Sequence, residues 1–147
     1  MMRNKLGLLE EDSKDESLII DLLTWMHQNK ADYTNTFCYL MNEKIKEDKI
    51  YSNQGFISWK QQWQERLKLH NNSPEKSLKL MHSVNPLVIP RNHKVEEALE
   101  AANNDDLNPM KNLLKVLEKP YENQEGISEY QSPAPASDKK YQTFCGT

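Results

Sequence analysis

The sequence predicts an all-α protein of about six helices in an irregular bundle, followed by an extended C-terminal tail. Apolar residues recur at steps of three and four in six separate segments. Proline or glycine punctuates the gaps between them. No stretch shows the strict apolar–polar alternation expected of a half-buried strand.

Asp15 to Asn29 places Leu18, Ile19, Leu22, Trp25 and Met26 on one broad face, behind the cap candidates Asp12 and Ser13. Thr34 to Glu47 repeats the pattern with Tyr33, Phe37, Leu40, Met41 and Ile45. Gly55 to His70 carries a stripe of Phe56, Trp59, Trp63 and Leu67. Two indoles four residues apart can line a groove, but burying large aromatics stabilises a small domain so strongly that core is the expected role. Ser73-Pro74 is a cap followed by proline in the first turn, opening a helix through Leu78, Met81 and Val84. That helix must stop near Asn85, because Pro86 disfavours helical geometry in the residue before it. The segment from Asn85 to Pro90 then reads as an extended connector. Asn92 to Asn103 groups Val95, Ala98, Leu99 and Ala102. Asn108-Pro109 begins a last helix with Met110, Leu113, Leu114 and Leu117, ended at Pro120. The helical region is therefore assigned to residues 1–120 and the tail to 121–147. The tail shows no helical period and is expected to cross a surface, ordered where Tyr121, Ile127, Tyr130, Tyr141 or Phe144 finds a pocket.

The 147 residues suit one domain, yet only 37% are hydrophobic and the mean hydropathy is −0.88. A thin core, a polar tail or a face meant for a partner would each account for this. The net charge of −3 gives no electrostatic case for nucleic acid or an anionic membrane. No apolar run approaches a bilayer span, and the N-terminus lacks the apolar core of a secretory signal. Two cysteines, Cys38 and Cys145, make no disulfide framework, so a reducing cytoplasm is the expected compartment.

Chemistry is sparse. A phosphate cradle needs closely spaced glycines, and the four here, Gly7, Gly55, Gly126 and Gly146, stand far apart. His27, His70, His82 and His93 never pair at helical spacing, and neither cysteine has a thiol neighbour, which argues against zinc. Cys38 lies inside an amphipathic helix and reads as a small buried thiol. Glu96, Glu97 and Glu100, like Asp105 and Asp106, read as solvated acids. No catalytic, cofactor-binding or metal-binding residue is assigned.

Several stretches nonetheless resemble one family in order and spacing. They are Lys5 to Leu8 (KLGL), Leu18 to Leu23 (LIIDLL), Asp32 to Phe37 (DYTNTF), Asn85 to Asp106, Leu113 to Tyr121 and the terminal TFCGT. Together they are similar to the C-terminal region of selenoprotein O and its bacterial YdiU-type relatives. The resemblance implies a protein-kinase-like enzyme that binds ATP with a divalent metal such as Mg²⁺ and transfers AMP to protein hydroxyl side chains. Its nucleotide and catalytic residues would lie in preceding regions, so ATP and Mg²⁺ are expected of the full-length protein and not of this chain. The expected partner is the catalytic kinase-like domain, in the same protein or encoded by a neighbouring gene. The expected location is the bacterial cytoplasm. The alternative is a free-standing helical interaction module without catalysis. Within the resemblance, Cys145 falls where the family carries selenocysteine or cysteine, making it a candidate redox residue. Gly146 and Thr147 stand where relatives often have two serines. Arg91 and Asn92 are candidate interdomain contacts: Asn92 can cap a helix start, while Arg91 can reach a carboxylate of the catalytic lobe or pair within the bundle.

Overall fold

The computed structural model describes residues 1–42, 49–69 and 73–134. Among the described residues there are eight α-helices, one 3-10 turn and no strand. The helices are α1 (Met2–Lys5), α2 (Asp15–Asn29), α3 (Tyr33–Leu40), α4 (Gln54–Lys68), α5 (Pro74–Val84), α6 (Asn92–Asn103), α7 (Asn108–Leu117) and α8 (Ile127–Gln131), with the 3-10 turn at Lys49–Ser52. The six periodic segments correspond to α2 to α7. The two additions, α1 and α8, have four and five residues, too few for a 3.6-residue period to show.

Boundaries differ where local geometry overrides periodicity. Helix α3 stops at Leu40, and Asn42 takes a left-handed φ of 63°, which cannot continue a helix. Ile45, expected to prolong that stripe, lies outside the described residues. Neither Asp12 nor Ser13 occupies the cap position of α2, which falls to Lys14. Asp12 instead folds the approach: its Oδ1 accepts from the Lys14 N–H at 2.9 Å, and its own N–H donates to Asp15 Oδ2 at 3.0 Å. Ser73 does cap α5 by position, with Pro74 in the first turn, but its hydroxyl makes no capping hydrogen bond. Asn53, an unexpected cap, accepts from the N–H groups of Gly55 and Phe56 at the start of α4.

The core gathers where α2, α4 and the 3-10 turn meet. Phe56 is enclosed by Trp25, Tyr51, Tyr39 and Trp59, at ring-centroid distances of 4.7, 5.0, 5.7 and 5.8 Å. Trp59 and Trp63 stack at 6.0 Å, and each satisfies its indole N–H on a backbone carbonyl: Leu18 at 2.8 Å and Leu6 at 2.9 Å. The aromatic stripe of α4 is therefore core, and its polar atoms tie α4 to α2 and to the turn after α1. Gly7 makes that turn with φ of 70°; a Cβ there would sit 3.0 Å from the Ser77 carbonyl oxygen and 3.1 Å from the Met81 side chain. Glycine thus serves both the left-handed backbone and the close approach of α1 to α5.

The connector from Asn85 to Pro90 is extended as expected, but it threads the interior. Asn85, Leu87 and Val88 are all buried. Buried backbone outside a helix needs partners. Leu87 finds them in the Pro120 carbonyl, to which its N–H donates at 2.7 Å, and in Gln131 Nε2, which donates to its carbonyl at 2.9 Å. Both partners come from the chain after α7. The segment read as a surface tail therefore contributes α8, with Ile127 and Gln131 buried, and closes over the connector. Helices α6 and α7 pack chiefly on each other, with Ala98, Leu113 and Val116 buried.

Candidate functional site

Three of the stretches singled out in the sequence meet at two polar nodes. Asp32 ends the loop after α2 and caps α3, accepting from the Asn35 N–H at 2.8 Å. Arg91 enters from the end of the connector, at the start of α6. Its guanidinium grips both Asp32 oxygens, Nη1 on Oδ2 and Nη2 on Oδ1 at 2.9 Å. Nη2 also donates to Asn35 Oδ1 at 3.2 Å and to the Gln131 carbonyl at 2.9 Å, and Asn35 Nδ2 donates to the same carbonyl at 3.1 Å. The fork geometry suits a guanidinium and not an ammonium. The Arg91 side chain is only 10% exposed, so this ion pair is largely shielded from solvent.

The second node pairs α1 with the connector. Lys5 Nζ donates to the Val84 carbonyl and to Asn85 Oδ1, both at 3.2 Å, and Asn85 Nδ2 returns a bond to the Lys5 carbonyl at 2.9 Å. The ammonium also lies 5.3 Å from the Phe37 ring and 5.8 Å from the Tyr33 ring. Burial holds the Lys5 pKa below its ordinary value.

These nodes organise structure and are poorly suited to proton transfer. Burial pushes the Asp32 carboxyl upward, but the Arg91 hydrogen bond, the Asn35 N–H and the guanidinium charge outweigh it and leave its pKa lowered. Asp32 is thus an anion at neutral pH. Burial pushes Tyr51, whose hydroxyl lies 3.3 Å from Thr36 Oγ1, up to about 12, keeping it neutral. Cys38 is buried with its sulfur 3.7 Å from the Pro86 carbonyl oxygen and 4.0 Å from that of Leu87. Carbonyl acceptors suit an S–H donor and oppose a thiolate nucleophile. Glu96, Glu97, Glu100, Asp105 and Asp106 are exposed, and Glu97 pairs with Lys94 at 2.8 Å. Among the described residues no three His, Cys, Asp or Glu side chains gather to hold a metal ion. Among the described residues the donors do not fit a Mg²⁺–ATP site.

Of the candidate contacts, Arg91 is engaged inside the bundle. Asn92 does not cap: Arg91 holds the cap position of α6, and Asn92 is the first helical residue with no side-chain capping bond. Asn92 stands one residue past the cap position, from which a short side chain accepts from the N–H groups of the first turn. Cys145 lies outside the described residues. Sequence reasoning missed Asp32, Asn35 and Gln131. Asp32 carries a cap signature, an acidic residue three before Asn35, but nothing local marks Gln131, whose partner is 44 positions away.

The pH dependence of this node has a definite sign. The unfolded chain takes up a proton on Asp32 near the ordinary value of 3.8, before the folded chain does. Its contribution is complete above that value and is lost as pH falls through it towards the lower folded value. Asp32→Asn, which keeps a capping oxygen, is expected to flatten the fall of thermal midpoint below about pH 4. An unchanged acid limb would show that Asp32 gains nothing from Arg91.

Two comparisons bear on the reading. The family model described as protein adenylyltransferase SelO matches residues 1–118. The chain is 56% identical over 147 residues to the protein nucleotidyltransferase YdiU of Pelagibacter ubique, covering 100% of this chain and 30% of that protein. It is 45% identical to the protein of the same description from Alcanivorax borkumensis and 47% identical to that of Nitrosococcus oceani. The chain spans just under a third of the length of these curated relatives.

Proposed function

The chain belongs to the SelO family of protein adenylyltransferases, and we propose that it is the C-terminal helical part of such an enzyme, seated on a catalytic kinase-like region that transfers AMP from ATP to protein hydroxyl groups. The observation that supports this best is the family match over residues 1–118. In this reading the chain is a scaffold, and nucleotide, metal and catalytic base all come from the region it lacks. Support and regulation of that region are its contribution, and Cys145 is assigned as its redox handle. Among the described residues no helix is long and apolar enough to cross a membrane, and the bacterial cytoplasm is the proposed location.

The test replaces the matching stretch of the complete Pelagibacter ubique protein with this chain and follows labelled AMP from ATP and Mg²⁺ onto protein. The folded chimera is expected to transfer label, whereas the chain alone shows no Mg²⁺-dependent heat with ATP in calorimetry. A chimera with native-like circular dichroism but no transfer would overturn the proposal, as would micromolar ATP binding by the chain alone. Mild oxidation followed by mass spectrometry is expected to modify Cys145 and spare the buried Cys38. A Cys145 inert to thiol reagents in the native chain would remove its assignment.

A further inference from the structure

Helix α2 carries more apolar surface than this bundle uses. Leu18, Leu22, Trp25 and Met26 point into the core, as its helical period requires. The same helix also holds Ile20, 52% exposed, and Leu23, 38% exposed, three residues apart on its outer side, with Ile19 half-buried between the two faces. Glu16, Asp21, Thr24, His27 and Gln28 occupy the rest of that exposed side, so Ile20 and Leu23 form a small apolar island on a polar face. Beside this face opens a cleft of 670 Å³, lined by Met1, Met2, Arg3, Glu11, Ile19 and Ile20 among others. The beginning of the matched stretch therefore lies against the outer face of α2.

We infer that the outer face of α2, centred on Ile20 and Leu23 with the adjoining cleft, is the docking surface for the catalytic region. This rests on the function proposed above and names the face through which it operates. The relatives are more than three times as long as this chain, and the match is to their C-terminal region. Their preceding region must join at the residues aligned with Met1 and Met2, which border this cleft. Covering Ile20 and Leu23 at that junction adds no loop-closure cost beyond the covalent connection itself. A rival apolar face exists on the α6–α7 hairpin, where Leu99 and Leu114 are exposed, but nothing ties it to the junction.

Hydrogen–deuterium exchange distinguishes the faces. It compares this chain alone with the Pelagibacter ubique chimera carrying it. Amides of residues 19–27 are expected to exchange at least tenfold more slowly in the chimera, with α6 and α7 unchanged. Ile20→Asp with Leu23→Asp should leave the thermal midpoint of the isolated chain in place, since both side chains are exposed, and abolish the added protection in the chimera. Protection confined to α6 and α7, or full protection of α2 in the doubly substituted chimera, would overturn this surface and leave the proposed function standing. Absence of added protection anywhere in a folded chimera would count against both, and the AMP-transfer measurement then decides whether the function fails with the surface.

Discussion

Arg66→Leu is expected to destabilise the chain by about 3–5 kcal/mol, as is usual when one member of a buried ion pair is removed. Arg66 on α4 and Asp15 at the start of α2 are each only 5% exposed. Arg66 Nε donates to Asp15 Oδ1 at 2.7 Å, and Nη2 donates to Oδ2 at 3.3 Å and to the Glu10 carbonyl at 2.7 Å. The substitution takes the cation away from a buried carboxylate, which keeps the Asp12 N–H on Oδ2. Much of the loss is the desolvation of what remains, so the double substitution Asp15→Leu with Arg66→Leu should recover a large part of it. Urea unfolding of the single and double variants measures both effects. A single variant within about 0.5 kcal/mol of the parent, the scale of a surface change, would refute the assignment.

Phe56→Ala should cost a similar amount, about 3–5 kcal/mol, for a different reason. Phe56 is fully buried and its ring touches four other aromatic rings, two of them indoles. Truncation leaves a void that rigid rings cannot fill, so lost transfer energy and cavity cost add together. Phe56→Leu, which refills most of the volume, is expected to recover more than half. Tryptophan fluorescence reports the outcome directly, because Trp25 and Trp59 lose a neighbour on truncation. An Ala variant as stable as the Leu variant would mean that the aromatic cluster relaxes freely.

Much of the fold is legible in the residues, and the reasons are local. Trp59, Trp63 and Phe56 fall at helical spacing, so α4 and its buried face follow directly. Pro86 ends α5 through sterics within one residue, and Pro74 and Pro109 open helices in the same way. The candidate nodes were legible only in part. Arg91 stood out beside a proline at a helix start, with internal pairing as one of its two possible roles. Asp32 and Asn35 lie 59 and 56 positions before it, and Gln131 lies 40 after it. No local pattern encodes such separations.

The sequence by itself determined the helical class, most helix positions, the buried stripe of α4 and the family, because periodicity, proline sterics and motif order all act along the chain. Tertiary structure alone decided that the extended connector is interior, that residues 127–131 fold back as α8, and which acid meets which guanidinium. Those choices depend on satisfying buried backbone and charge. Leu87 needs Pro120 and Gln131, and Arg66 needs Asp15. Most buried polar groups find a partner wherever the packed chain brings one, and that place is a property of the fold.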